Sequence, residues 1–160
     1  MSEIKKASLN DTDAVYDITQ TTIRAVYPHY YPAGAVEFFS QHHSKEKIVC
    51  DIEAGCVWLV LNENGSPAGT VTVNDNEINR LFVLPEHQGK GFGRMLMEFA
   101  EKLISQKFST AELSASLSAK SIYLRNGYSE ESYNIIDSPN GDKLCYDYMI
   151  KHLDSKGGSD

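Results

Sequence analysis

A mixed α/β fold is what this 160-residue sequence predicts, and three observations carry it. Short runs rich in Val, Ile, Leu and Thr alternate with a period of two between turn residues. Longer segments repeat apolar side chains every three or four positions. A glycine-rich stretch, Gln88-Gly89-Lys90-Gly91-Phe92-Gly93, joins a run of the first kind to one of the second.

The elements follow in order. Residues 4–8 form a first strand, and Asn10 or Asp11 caps a helix in which Val15, Ile18, Thr22 and Ala25 share a face until Pro28 ends it. Tyr27-Pro28-His29-Tyr30-Tyr31-Pro32 is an aromatic loop punctuated by proline, followed by short helices over residues 36–41 and 45–52. Residues 56–62 read as a buried strand with Trp58, Asn64-Gly65 as a tight turn, and residues 68–74 as the returning strand with Val71 and Val73. A turn at Asp75-Asn76 leads into a strand over residues 77–83, on which simple alternation puts Glu77, Asn79, Leu81 and Val83 on one face and Arg80 on the other. Residues 94–108 form a helix burying Met95, Leu96, Phe99, Leu103 and Ile104. A strand over 111–115, a short helix over 118–126 closed by Gly127, and a hairpin of 128–136 with 144–150 across Pro139-Asn140-Gly141 complete the domain. Residues 1–153 are expected to make one domain and 154–160 a flexible tail.

Composition narrows the classes of function. With 41% hydrophobic and 23% charged residues, the chain suits a single domain with a sizeable core. No run approaches the ~18 apolar residues of a membrane span. Met1-Ser2-Glu3-Ile4-Lys5-Lys6 has no apolar stretch behind it, so a cytoplasmic location is expected. Cys50, Cys56 and Cys145 are odd in number and form no C-x-x-C pair, which argues for buried free thiols over a disulfide framework or a zinc site. A net charge of −7 without clustered Lys and Arg argues against nucleic acid, and mildly favours a cationic substrate such as an amine. His42 and His43, adjacent on a helix and so about 100° apart, read as a solvated helix end with no metal.

The glycine stretch is where chemistry concentrates. A strand, a glycine-rich turn and a helix start present bare backbone N–H groups to a phosphate, and Lys90 adds a mobile cation. A dinucleotide fingerprint needs G-x-G-x-x-G directly after the strand, whereas here G-x-G-x-G follows Leu84-Pro85-Glu86-His87. A Walker A loop needs four residues between its first glycine and Gly-Lys, then Ser or Thr, and Gly91 follows Gly89-Lys90 instead.

Gln88-x-x-Gly91-x-Gly93, with Leu81-Phe82-Val83-x-Pro85 before it, resembles the acetyl-coenzyme A signature of the GNAT superfamily of N-acetyltransferases. The order of elements resembles that fold over roughly residues 4–150, while the specific motifs cover residues 77–128. The resemblance implies a mostly antiparallel central sheet of six or seven strands, splayed at the coenzyme site between the strand ending at Val83 and the next one, with helices on both faces. It implies acetyl-CoA held by Leu81, Phe82 and Val83, by Gln88, Gly89, Lys90, Gly91, Phe92, Gly93 and Arg94, and near Ser116 and Ala119, with the N–H near Val83 as an oxyanion-type donor. Ser116 stands where the family often has Asn. Tyr123, in Ile122-Tyr123-Leu124-Arg125-Asn126-Gly127-Tyr128, matches the segment whose tyrosine usually protonates the coenzyme thiolate; packing on the sheet is its other reading. Glu77, six residues before Val83, sits at the offset of the basic glutamate in the histone-acetylating branch; a solvated carboxylate, with a water wire as base, is equally open. Asn79, Tyr27, Tyr30 and Tyr31 are candidate acceptor-binding residues, the tyrosines equally packing residues, and Arg80 either pairs with an acid or closes the surface.

Acetyl transfer to a primary amine by direct attack is the activity expected, without a cysteine nucleophile. A non-catalytic acyl-CoA sensor and a pure interaction module are its rivals. The acceptor, small molecule or protein, stays open. Dimers are common among relatives, so a homodimer is one expectation.

Overall fold

The computed structural model describes residues 2–153, so the expected tail at 154–160 lies outside the described residues. Seven strands and five helices follow the predicted order: β1 Glu3–Lys6, α1 Thr12–Val26, α2 Ala33–His42, α3 Lys45–Glu53, β2 Val57–Leu61, β3 Pro67–Asn74, β4 Glu77–Val83, α4 Phe92–Ser105, β5 Thr110–Ser116, α5 Lys120–Arg125, β6 Ser129–Asp137 and β7 Lys143–His152. The strands form one sheet, ordered β1-β2-β3-β4-β5-β7-β6. Every neighbouring pair is antiparallel except β4 with β5. Among the described residues no helix is long and apolar enough to cross a membrane.

Each face of the sheet buries its own core. Val15, Ile18 and Ile23 of α1, Ala35 and Val36 of α2, and Ile48 and Ile52 of α3 pack with Val57, Leu59 and Phe82 on one face. On the other, Leu96, Met97, Ala100 and Ile104 of α4 meet Val60, Val71, Val73, Ile78, Ala111 and Leu113. The α4 stripe is rotated from the expected one: Phe92, Leu96, Met97, Ala100 and Ile104 are buried, while Met95, Phe99 and Leu103 flank them. The helix starts two residues before Arg94, at Phe92, because Gly91 at φ 90° turns the chain into it.

Two irregularities shape the interior. Val71 alone faces both Arg80 and Leu81, since Thr70 pairs with Phe82 and Thr72 with Asn79, which makes a bulge in β4. Arg80 takes φ 52°, a left-handed conformation that costs a non-glycine residue about 1 kcal/mol. The bulge overturns strict alternation. Cross-strand partners share a face, so Glu77, Asn79 and Phe82 join Asn74, Thr72 and Thr70 on the α1–α3 side, whereas Val83 pairs with Gly69 and packs with Leu81 toward α4. Arg80 reaches the same side as Asn79, where it meets Thr72 and Asp51 of α3.

The second irregularity is a parting of strands. β4 and β5 are paired only at Glu77 with Glu112 and Ile78 with Leu113, and beyond that point they diverge. Ser114 is consequently exposed in the middle of an interior strand. Tyr31 helps brace the open end: its hydroxyl accepts from Leu117 N–H at 2.7 Å and donates to Cys145 O at 2.8 Å.

Candidate active site

The gap between β4 and β5 opens into a cleft of about 1040 Å³. Backbone geometry decides what its β4 wall offers. Leu84 N–H donates to Ala68 O at 2.9 Å, and successive residues of an antiparallel strand direct their N–H groups to opposite sides, so the Val83 N–H points away from β3, into the gap. The Val83 carbonyl accepts from Gln88 Nε2 at 2.9 Å and Thr22 Oγ1 at 3.3 Å, which ties the glycine turn and α1 to the end of β4.

The glycine turn forms the outer rim. Gly89 and Gly91 have φ 79° and 90°, and a Cβ at either would stand in open space, so the turn is bare toward solvent. Among the described residues, no backbone or side-chain acceptor receives the N–H groups from Gly89 to Arg94. A row of unused donors at a 14-residue helix start fits a phosphate-bearing ligand in both charge and direction.

The opposite wall comes from the end of β5 and from α5. Ser116 and Ala119 line it, with Tyr123, 8% exposed and set edge-on against Tyr128 at 5.7 Å between ring centroids. Among the described residues the Tyr123 hydroxyl has no hydrogen-bond partner, and burial, with Tyr27 nearby, raises its pKa above the ordinary phenol value. Tyr27 lines the same space, and burial lifts its phenol to about 12.

At the inner end stand Glu77 and Asn79. Burial first, then the neighbouring Glu112 carboxylate, raises Glu77 above the usual carboxylate range. Arg80 lies behind them, nearly buried, with Nη2 on Asp51 at 2.9 Å and Nη1 on Thr72 Oγ1 at 2.9 Å, so pairing with an acid is the reading that stands. Its Nε donates to His43 Nδ1 at 3.3 Å.

The cleft therefore gathers Leu81, Phe82, Val83, Gln88, Gly89, Gly91, Gly93, Arg94, Ser116, Ala119, Tyr123, Glu77, Tyr27 and Asn79. Four of the expected site residues stand apart from it. Lys90 is exposed on the rim, and Phe92 is buried with the α4 core, edge-on to His87. Tyr30 is 50% exposed outside the lining, and Tyr31 commits its hydroxyl to the brace described above. His43 departs from the solvated helix end expected of it: it packs edge-on against Phe82 at 5.9 Å, while His42 stays exposed. Of the thiols expected to be buried, Cys50 is exposed and Cys56 and Cys145 are partly covered; all three are free. Among the described residues no cluster of His, Cys, Asp and Glu could hold a metal ion.

Ile122 of α5, Asn126 at its C-terminal cap and Phe39 of α2 also line the cleft and were missed from sequence. For Asn126 a signal existed, since it follows Tyr123 by three positions. None marked Phe39.

A sheet split beside a glycine turn whose N–H groups are unused among the described residues, with a buried phenol across the gap, suits a phosphate-bearing ligand laid between the strands. The chain belongs to the GNAT acetyltransferase family, whose domain model, described as an acetyltransferase (GNAT) domain, matches residues 26–137. It is an acetyltransferase. A GCN5-related N-acetyltransferase from Rhodopseudomonas palustris superposes with a TM-score of 0.86 at 20% identity, over 96% of both chains. The PaiA N-acetyltransferase from Thermoplasma acidophilum, solved with coenzyme A, reaches 0.73 at 21% identity over 96% of this chain and 99% of its own. YncA of Salmonella typhimurium, a putative acetyltransferase solved with acetyl-CoA, reaches 0.73 at 20% identity over 100% and 98%. A search of curated protein sequences gave no significant match.

Proposed function

We propose that this chain transfers the acetyl group of acetyl-CoA to a primary amine by direct attack in a ternary complex. The observation that carries the proposal is that the Val83 N–H and the Tyr123 hydroxyl, unpartnered among the described residues, stand on opposite walls of one cleft. The turn from Gly89 to Arg94 would take the pyrophosphate, as its free N–H groups and the coenzyme A seen in the PaiA structure both suggest. The acyl-pantetheine arm would then run along the open edge of β4 between the diverging strands.

Chemistry follows from the walls. The amine lone pair attacks the thioester carbon, a C–N bond forms, and charge moves onto the carbonyl oxygen, where the Val83 N–H receives it. A preorganised donor of this kind is worth about 3 kcal/mol of barrier. The tetrahedral centre collapses, the C–S bond breaks, and the thiolate takes the Tyr123 proton. Glu77, held above the usual carboxylate range by burial and then by Glu112, accepts the proton leaving the nitrogen. Cys50, Cys56 and Cys145 are absent from the cleft lining, so a ternary complex suits the site better than an acetyl-enzyme. Three free thiols and dependence on acetyl-CoA suit a cytoplasmic setting.

The first experiment is calorimetric titration with acetyl-CoA. One-to-one binding in the micromolar range, followed by thiol release in the presence of an amine, is the expected result. A folded protein that binds no acetyl-CoA would refute the proposal.

A further inference from the structure

A smaller side cavity toward α2 and α3 adjoins the main cleft. Glu77, Asn79, Arg80 and His43 line both spaces, as does the exposed His42, so they stand at the junction between them. Glu77 supplies a carboxylate. Asn79, Arg80 and His43 present donors, and they are fixed to different degrees.

Arg80 is the anchor. Asp51 and Thr72 hold its two terminal nitrogens, and the β4 bulge holds its backbone. The guanidinium has donors only, so the Nε–H that meets His43 Nδ1 makes that ring nitrogen an acceptor. The imidazole proton is thereby assigned to Nε2. Phe82 packs edge-on against the ring, and Gln20 Nε2 on the His43 carbonyl at 3.3 Å holds its backbone. Among the described residues neither His43 Nε2 nor the Asn79 amide has a hydrogen-bond partner.

Resting on the acetyl-transfer reading, we propose that His43 is a specificity-determining residue whose Nε2–H donates to an oxygen of the acceptor. The preferred substrate is an amine with a hydroxyl or carbonyl oxygen three bonds from its nitrogen, and a plain alkylamine is the poorer one. Arg80 and Asp51 are positioning residues that act through His43. A half-buried donor that meets no acceptor is costly, so the junction discriminates against amines lacking the oxygen. The surroundings keep the ring a donor. Arg80 and Glu77 face it from β4, His42 from α2, and Lys47 and Asp51 from α3. Burial first, then the positive charge of Arg80, lowers its pKa to about 3.

The test compares matched amines by thiol release: ethanolamine against propylamine, and alaninamide against 3-methyl-2-butylamine. Amine basicity differs within each pair but cancels when the kcat/KM ratio of one enzyme is divided by that of another. His43→Phe should lower the ratio of oxygenated to plain amine by roughly tenfold, and His43→Gln, which keeps a side-chain N–H, should recover most of it. Nitrogen NMR of the imidazole provides a readout without any acceptor, with the Nε2–H form expected to persist from pH 5 to pH 8. An Nδ1–H ring, or an unchanged ratio in His43→Phe, would overturn the proposal. Protein that binds acetyl-CoA yet acetylates propylamine as readily as ethanolamine also overturns it while leaving the transferase reading intact; protein that binds no acetyl-CoA overturns both.

Discussion

Among the described residues the hydroxyl of the nearly buried Tyr123 has no protein partner, and its side chain lines the cleft. In the proposed reaction a thiolate leaving the thioester is the acceptor for its proton. Because burial raises its pKa, the phenol is protonated at every pH at which the protein would work. Tyr123→Phe should therefore lower kcat by about 10²-fold or more and leave the acetyl-CoA dissociation constant within about twofold, as read from steady-state rates and titration. Glu77 is tuned in the same upward direction, by burial and by Glu112. As a base it works only when ionised, so kcat should fall with decreasing pH through a group above the usual carboxylate range. In Glu77→Gln that lowest ascending limb should vanish; an unchanged profile would assign the base to another group.

At the scale of elements, helix α4 connects the two halves of the site. Its first turn presents the free N–H groups, and its buried stripe seats it on β3, β4 and β5. Leu96 is fully buried at the centre of that stripe and touches the space above Gly69, where a Cβ would meet Phe82 O at 2.8 Å. Leu96→Ala should cost roughly 2–5 kcal/mol in urea unfolding. The β4 bulge is the other decisive element. Without it, strict alternation would turn Arg80 toward α4, into an apolar core. The extra residue lets Asn79 and Arg80 both face α3, where Asp51 receives the charge.

At the scale of the whole molecule, Tyr31 spans from the α1–α2 connection to the ends of β5 and β7, across the open side of the split sheet. Tyr31→Phe removes both bonds and strands the Leu117 N–H and Cys145 carbonyl. It should lower stability by about 1–3 kcal/mol and weaken acetyl-CoA binding through a looser gap, measured by unfolding and titration. The element order and the glycine turn were legible in the sequence because period-two and helical patterning and the motif Gln88-x-x-Gly91-x-Gly93 are local. Glu77, Tyr123 and the turn are in the cleft for that reason. The bulge was not legible. Nothing in Asn79-Arg80-Leu81 marks an extra residue, so the faces of Arg80, Leu81 and Val83 relative to Glu77 and Asn79 came out reversed. His43 was hidden likewise, because its environment is made by Phe82 and Arg80, some forty positions away. Tyr30 and Tyr31 look alike in the chain, and only tertiary packing separates a solvent-facing ring from a brace.

The brevity of the β4–β5 contact has one more consequence. Two residue pairs are the whole ladder between a four-stranded and a three-stranded part of the sheet, and amides beside the seam should exchange with solvent sooner than those of β2, β3 or β7. A ligand lodged in the seam touches both parts at once. Its binding free energy then adds to the cohesion of the two halves as well as to occupancy of the site. Saturation at a hundred times the dissociation constant would raise global stability by about 2.7 kcal/mol. Amides beside the seam should accordingly gain more protection from exchange on acetyl-CoA binding than those of β1 or β2, far from the gap.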